Sequence, residues 1–248
     1  MICLKIQLYI AYDGTKYCGW QVQKNAVSVQ QTLQNSVESV FGERYLLTGC
    51  SRTDSGVHAK KFCCSVSVPD DVNIPAEKIP IALNHYLPDD ISVIEASYVS
   101  DDFHPRYDAK YKEYEYLILN TPIKDPFLTN KVFHYPKKLD IDKMNRATEC
   151  FIGKHDFAAF MSSGSSVEDT VRTIKYFTVS ECGNIVKINV AADGFLYNMV
   201  RILVGTLIDV SNGKIAIEDI PTVIEQKDRK KAGFTAPPQG LYLNKIFY

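Results

Sequence analysis

A chain of 248 residues with a net charge of −1 is long enough to bury one large core or two modest ones, but it carries no overall field that would draw in a polyanion such as nucleic acid. Its 46% hydrophobic and 23% charged residues lie near the averages of water-soluble domains, and no run approaches the roughly eighteen apolar residues that a membrane span needs. Residues 1–12 alternate too strictly to hold the unbroken apolar centre of a secretory signal, so the expected location is the cytoplasm.

That first segment places Ile2, Leu4, Ile6, Leu8 and Ile10 on one face and Lys5, Gln7 and Tyr9 on the other, the period of a half-buried strand. After a turn-rich stretch, Ser28 and Gln31 form a capping box. Val29, Leu33, Val37, Val40 and Phe41 then recur at helical spacing until Gly42 stops the helix. Two β-rich runs follow at 44–50 and 61–68, then a proline-flanked helical pattern through Ile79, Leu83 and Leu87, then a strand at 91–99. The order is βαββαβ.

The second half repeats the plan. Residues 110–119 read as a tyrosine-rich strand, and Asp140 caps a helix through Ile141, Met144, Ala147 and Phe151 that Gly153 ends. Strands at 171–180 and 185–191 flank turn residues 181–184. A markedly apolar helix at 198–210, a further helical pattern near 217–226 and a last strand at 241–248 complete a second βαββαβ. The expected architecture is α+β: two ferredoxin-like domains, residues 1–106 and 107–248, with antiparallel sheets joined side by side and a catalytic cleft between them. The boundary rests on residues 101–108, which contain Pro105 and show no period, while S-S-G-S-S at 162–166 reads as a flexible loop inside the second domain.

Chemistry concentrates at residues 51–59, S-R-T-D-S-G-V-H-A, where Arg52, Asp54 and His58 share a glycine-containing loop between two strands. Such a loop is more often a turn whose aspartate accepts backbone amides. The helix at 198–210 shifts that weighting, because Met199, Val200, Ile202, Leu203 and Val204 leave Arg201 as the only charge in its first two turns. A buried guanidinium needs an anion, either a carboxylate or a phosphate, and Asp54 is the candidate partner; the competing reading has Arg201 snorkel to solvent. Tyr107, Tyr111, Tyr114 and Tyr116 cluster around the first strand of the second half, with Tyr114 and Tyr116 on one face and Tyr111 opposite. Most aromatics at such density are core, but one facing a groove can stack on an extruded base for about 1–3 kcal/mol.

Three other features weigh less. Residues 12–20, Y-D-G-T-K-Y-C-G-W, hold the only tryptophan, and an Asp-Gly-Thr after a strand is the arrangement of aspartate phosphatases of the haloacid dehalogenase type. Their nucleophile would fall at Ala11, so a turn is the better account of Asp13 and Gly14. The seven cysteines are scattered, odd in number and free of C-x-x-C spacing, which reads as reduced and structural, with no metal site. The run at 227–231 holds four basic residues and one acidic, a pattern more often found on a solvated helix end than against phosphate.

Taken in order, residues 12–21 (Y-D-G-T-K-Y-C-G-W-Q), 28–33 (S-V-Q-Q-T-L), 52–59 (R-T-D-S-G-V-H-A), 101–106 (D-D-F-H-P-R), 112–116 (K-E-Y-E-Y), 170–174 (T-V-R-T-I), 198–205 (N-M-V-R-I-L-V-G) and 240–243 (G-L-Y-L) resemble the TruA family of tRNA pseudouridine synthases along essentially the whole chain. The resemblance implies that Asp54 is the nucleophile, Arg52 its companion in the loop, Tyr114 the active-site tyrosine and Arg201 the arginine that pairs with the aspartate. Ser51 stands where the family usually has glycine, a departure that would matter if the backbone needed a positive φ there.

The implied reaction cleaves the bond between uracil nitrogen 1 and the ribose, rotates the base and rejoins it through carbon 5, an isomerisation that calls for no cofactor and no metal. The resemblance further implies tRNA as partner, uridines at positions 38 to 40 of the anticodon arm as targets, and a homodimer. Arg106, Lys110, Lys112, Lys227, Arg229, Lys230 and Lys231 are then candidate phosphate contacts. Two rival readings remain: a catalytically silent RNA-binding paralogue, and a pseudouridine synthase of the same family with another RNA target. An aspartate-dependent glycosidase lacks the second carboxylate that its acid and base work requires.

Overall fold

The structure is a computed structural model describing residues 3–70, 74–164 and 167–248. Ile2 of the expected first strand, and Ser165 and Ser166 of the serine-rich loop, lie outside the described residues. The chain divides into two compact units, one formed by the chain through Lys110 together with Tyr242–Tyr248, the other by Tyr111–Leu241.

In the first unit the order is β1 (Cys3–Tyr12), α1 (Val29–Phe41), β2 (Leu47–Gly49), β3 (His58–Pro69), α2 (Ile79–Asn84) and β4 (Ile91–Val99). Strand β1 lies between β3 and β4, antiparallel to both, with Ile6↔Val66, Leu8↔Cys64 and Ile10↔Phe62 directly opposed across β3. Directly opposed residues point to the same face, so these six side chains form one fully or almost fully buried layer. Helix α1 begins where Ser28 Oγ accepts from Gln31 N–H and ends at Gly42, whose φ of +81° suits the left-handed cap. Gln30 Nε2 ties it to the Leu47 carbonyl of β2, and Ser36 Oγ to the Leu83 carbonyl of α2.

The other sheet face is less open than alternation predicts. Gln7 is buried, with its side chain bonded to Tyr9, Cys63 and Ser97. Phe103 and Tyr248 are in ring contact, and the Tyr248 hydroxyl donates to the Pro105 carbonyl. Burial, the nearby Cys63 and Glu95, and Cys50 push the Tyr9 phenol up to about 12.

A further strand, β10 (Leu241–Phe247), belongs with this unit. It runs parallel to β3, with Tyr242 opposite His58 and Leu243 opposite Ala59, on the edge that β2 uses farther along at Leu47–Gly49. The division expected at 106/107 therefore falls at 110/111, and the last strand returns to the first unit. Periodicity identifies a strand but says nothing of its partner.

In the second unit the order is β5 (Tyr111–Leu119), β6 (Phe133–His134), α3 (Ile141–Glu149), β7 (Gly153–Asp156), β8 (Val171–Cys182), β9 (Ile185–Ala192), α4 (Met199–Ser211) and α5 (Ile220–Gln226). Strand β9 lies between β5 and β8, with β7 on the far edge of β8, all antiparallel; β6 runs parallel to β5. Neither β6 nor β7 was expected, since two and four residues are too few to show a period. Helix α3 starts where Asp140 accepts from Lys143 N–H, and Asn145 clamps it to β8 by bonding both the amide and the carbonyl of Val179. It stops at Glu149, four residues before Gly153, which instead opens β7 with a φ of +100°. Helix α4 is buried along almost its whole length.

Candidate active site

In the first unit, residues 50–57 join β2 to β3 and hold Asp54 half-buried and Arg52 exposed. Val57 N–H donates to the Asp54 carbonyl and Gly56 has a φ of +77°, the form of a type II turn with glycine at its third position. Ser51 is not among the non-glycine residues with positive φ, so serine fits that backbone without strain.

The loop does not hold itself. Residues 12–20 form its cradle: Trp20 N–H donates to the Thr53 carbonyl, Gly56 N–H and Ser55 Oγ donate to the Tyr17 carbonyl, and the Tyr12 and Thr53 hydroxyls share a bond of 2.8 Å. The two segments approach so closely that a Cβ on Gly14 would stand 2.0 Å from the Val57 carbonyl oxygen, and one on Gly19 2.3 Å from that of Thr53. The turn expected at Asp13 and Gly14 is present, but it also forms one wall of the aspartate loop. Its sequence signal was the pair of glycines among Tyr12, Tyr17 and Trp20; what they face was not encoded locally. Trp20 stacks on Phe62 at 4.2 Å and leaves no room for a side chain at Gly49.

His58, the first residue of β3, is buried behind the loop. Its Nδ1 lies 3.0 Å from Gly14 N–H and 3.0 Å from Asp13 Oδ1, and its ring stacks on Tyr242 at 4.6 Å. Asp13 Oδ1 also accepts from the amide and hydroxyl of Thr15.

In the second unit, Arg201 is half-buried at the start of α4. Its Nε donates to the Ala236 carbonyl and Nη1 to Asn198 Oδ1, each at 2.7 Å, while Ala236 N–H donates back to the Arg201 carbonyl. Asn198 caps the helix with φ +60° and bonds Ser162 Oγ. Farther along α4, Gly233 N–H donates to Thr206 Oγ1, and a Cβ on Gly205 would lie 1.8 Å from the Phe234 carbonyl oxygen. Residues 233–236 are thus laid along the helix, and neutral main-chain and amide oxygens hold the guanidinium in its plane. The nearby Tyr116 is fully buried and donates to the Pro237 carbonyl at 2.7 Å; burial raises its phenol well above the usual range, against the opposing pull of Arg201. Tyr114, two residues earlier, is 6% exposed and meets Phe195 edge-on at 5.1 Å.

The basic candidates separate by environment. Arg106 is exposed beside the Tyr107 ring, Lys110 is exposed with Nζ on the Tyr248 carbonyl, and Lys230 is exposed. Lys112 is only 8% exposed, which leaves its ammonium little surface for a phosphate. Within the run at 227–231, Lys227 pairs with Asp156 at 2.7 Å, Lys231 bonds Gln226, and Arg229 donates to the Gly233 carbonyl and to Thr235 Oγ1. Burial draws the Arg229 guanidinium below its usual value. That run serves in part to brace residues 232–235. Among the described residues no group of three or more His, Cys, Asp or Glu side chains is arranged to hold a metal ion, and no helix is long and apolar enough to cross a membrane.

The chain, an α+β scaffold that presents an aspartate on a tight turn and an arginine at a buried helix start, is matched by a known class of RNA-modifying isomerases. A family model described as tRNA pseudouridine synthase matches residues 8–108 and 147–248, and the chain belongs to that family, whose members convert uridine to pseudouridine in tRNA. The matched spans contain Arg52, Asp54 and Arg201 and omit Tyr114. Over 243 residues, 98% of this chain and 99% of the relative, it is 49% identical to tRNA pseudouridine synthase A of Thermoanaerobacter sp. (strain X514). With the same coverage it is 48% identical to the protein of that name from Acetivibrio thermocellus, and over 244 residues 46% identical to that from Clostridium kluyveri.

Proposed function

We propose that this tRNA pseudouridine synthase acts on uridines 38 to 40 of the anticodon arm with Asp54 as its nucleophile. The observation that carries the reading is the loop itself. Asp54 is the carboxylate of a turn whose backbone is fixed by Tyr17, Trp20 and Tyr12, so the group is presented with little freedom to lose when it meets a substrate. Ionised, Asp54 bonds to the ribose or to the base and the bond to nitrogen 1 breaks; the uracil turns, carbon 5 bonds to the ribose, the bond to Asp54 breaks to free the carboxylate, and the carbon 5 proton leaves as nitrogen 1 gains one. Arg201 and Arg52 keep the carboxylate charged, and Tyr114 stacks on the extruded base and takes part in removal of the carbon 5 proton.

Arg106, Lys110 and Lys230, all exposed, are the phosphate contacts this reading favours. The resemblance to the family supports the anticodon arm as target, a homodimer as the working form and the cytoplasm as its place. Asp54→Asn tests the assignment: pseudouridine in incubated tRNA falls below detection while the tRNA dissociation constant stays within a few-fold. Full activity in that variant removes Asp54 from the mechanism, and release of free uracil in place of pseudouridine reassigns the reaction.

A further inference from the structure

The group behind the loop that the mechanism leaves unused is His58. Its Nδ1 is claimed from two sides, by the Gly14 amide at 3.0 Å and by an Asp13 carboxylate oxygen at 3.0 Å. One nitrogen cannot serve both: the amide needs a bare lone pair, the carboxylate needs a proton. Gly14 N–H has only donation to offer, and it is buried, so leaving it unmet is the more costly choice. Asp13, by contrast, already receives the Thr15 amide and hydroxyl. The ring therefore carries its proton on Nε2 and accepts through Nδ1.

That single bond joins the cradle to the strand end from which the aspartate loop springs. Gly14 is the residue packed against the Val57 carbonyl, and Val57 N–H closes the turn on the Asp54 carbonyl. The far side of the imidazole is fixed by Tyr242, which stacks on it from β10. The turn is held at Asp54 and Val57, at Gly14, and at His58 in sequence, so a loosened His58 transmits directly to the carboxylate.

We propose that His58 is a positioning residue for Asp54, setting through its bond to the Gly14 amide the geometry in which the nucleophile meets the uridine. The proposal rests on the assignment of Asp54 given above. It requires a neutral acceptor at the Nδ1 position and a flat ring against Tyr242. His58→Phe keeps the ring and removes the acceptor; His58→Asn restores an acceptor oxygen close to where Nδ1 lies.

The experiment is steady-state pseudouridine formation on tRNA by both variants, together with detection of the through-bond coupling between the Gly14 amide and the His58 Nδ1 nitrogen by NMR of selectively labelled full-length protein. The expected result is a coupling present in the native protein, a kcat at least ten-fold lower in His58→Phe with KM within about two-fold, and recovery of most of that loss in His58→Asn. A kcat within two-fold of native in His58→Phe, a parallel loss through KM, or no recovery in His58→Asn overturns the proposal, as does absence of the coupling. The coupling is read whether or not Asp54 is the nucleophile, and Asp54→Asn decides that question separately.

Discussion

Replacing Gly205 by alanine sets two known effects against each other. Alanine in a helix interior is favoured over glycine by about 1 kcal/mol, so on propensity alone the variant is stabilised. The new methyl, however, would stand 1.8 Å from the Phe234 carbonyl oxygen, and because Cβ contacts below 3.0 Å essentially never occur, that carbonyl must retreat by about 1.2 Å. The retreat pulls residues 233–236 off α4 and strains the Gly233 bond to Thr206 and both bonds between Arg201 and Ala236. Two neutral bonds at about 1 kcal/mol each and one charge-assisted bond at about 1.5–3 kcal/mol, less the propensity gain, give a net loss of about 2.5–4 kcal/mol. For a protein of this size the melting temperature falls by roughly 5–15 °C. Urea denaturation should show a lower midpoint at unchanged slope, and pseudouridine formation should fall more than stability alone explains, because Arg201 loses its frame. A variant more stable than the native protein, with activity intact, would show that residues 233–236 yield freely and that the packing argument for Arg201 is mistaken.

Three further outcomes follow from the same geometry. Tyr116→Phe leaves the half-buried Pro237 carbonyl without its hydroxyl donor and should cost about 1 kcal/mol in chemical denaturation, with no change if water replaces the bond. Lys227→Ala should cost about 0.5–1 kcal/mol at neutral pH, a small figure because the lysine is largely exposed. Partial burial pushes the Asp156 carboxyl up, but bonds from Lys227, Thr170 and Ala158 N–H outweigh it and hold the carboxyl below the usual range. The carboxylate's contribution is therefore complete above the ordinary aspartate value near 3.9 and is lost as the pH falls through the lowered folded value, so native and variant stabilities should converge in acid. A difference that persists unchanged to low pH would break the link to Asp156. Arg106→Ala should weaken tRNA binding and reduce the slope of log affinity against log salt by about 1; an unaltered slope would remove Arg106 from the phosphate contacts.

Local chemistry makes much of this structure legible in the sequence. Ser28 with Gln31, and Gly42 after Phe41, bounded α1 to the residue, and the alternation of β1 named the buried Ile6, Leu8 and Ile10. The Asp54 loop and the isolated Arg201 on an apolar helix were visible for the same reason, since each is an anomaly within a short window. Partners were not visible. Arg201 read as a charge in search of an anion, and its bonds to the Ala236 carbonyl and the Asn198 amide oxygen were beyond local reading, because they depend on where residues 233–236 fold. Lys112 was within reach of sequence reasoning, because it shares the even-numbered face of β5 with Tyr114 and Tyr116, and all three are buried. The cradle at residues 12–20 could not be read, because the close approach of Gly14 to Val57 spans more than forty positions and leaves only a glycine as its trace.

The return of β10 to β3 has a consequence for how the protein comes into being. A ribosome releases the chain from its amino end, so β1 to β4 emerge early, while the segment that flanks His58 and Ala59 arrives 184 positions after His58. Until then the nascent sheet carries an unclosed edge beside the aspartate loop, and Tyr242 is not yet there to seat the imidazole. Maturation of the Asp54 loop is thereby deferred until β10 has emerged, and a polypeptide interrupted before Tyr242 would hold Asp54 without the neighbour that steadies the wall behind it.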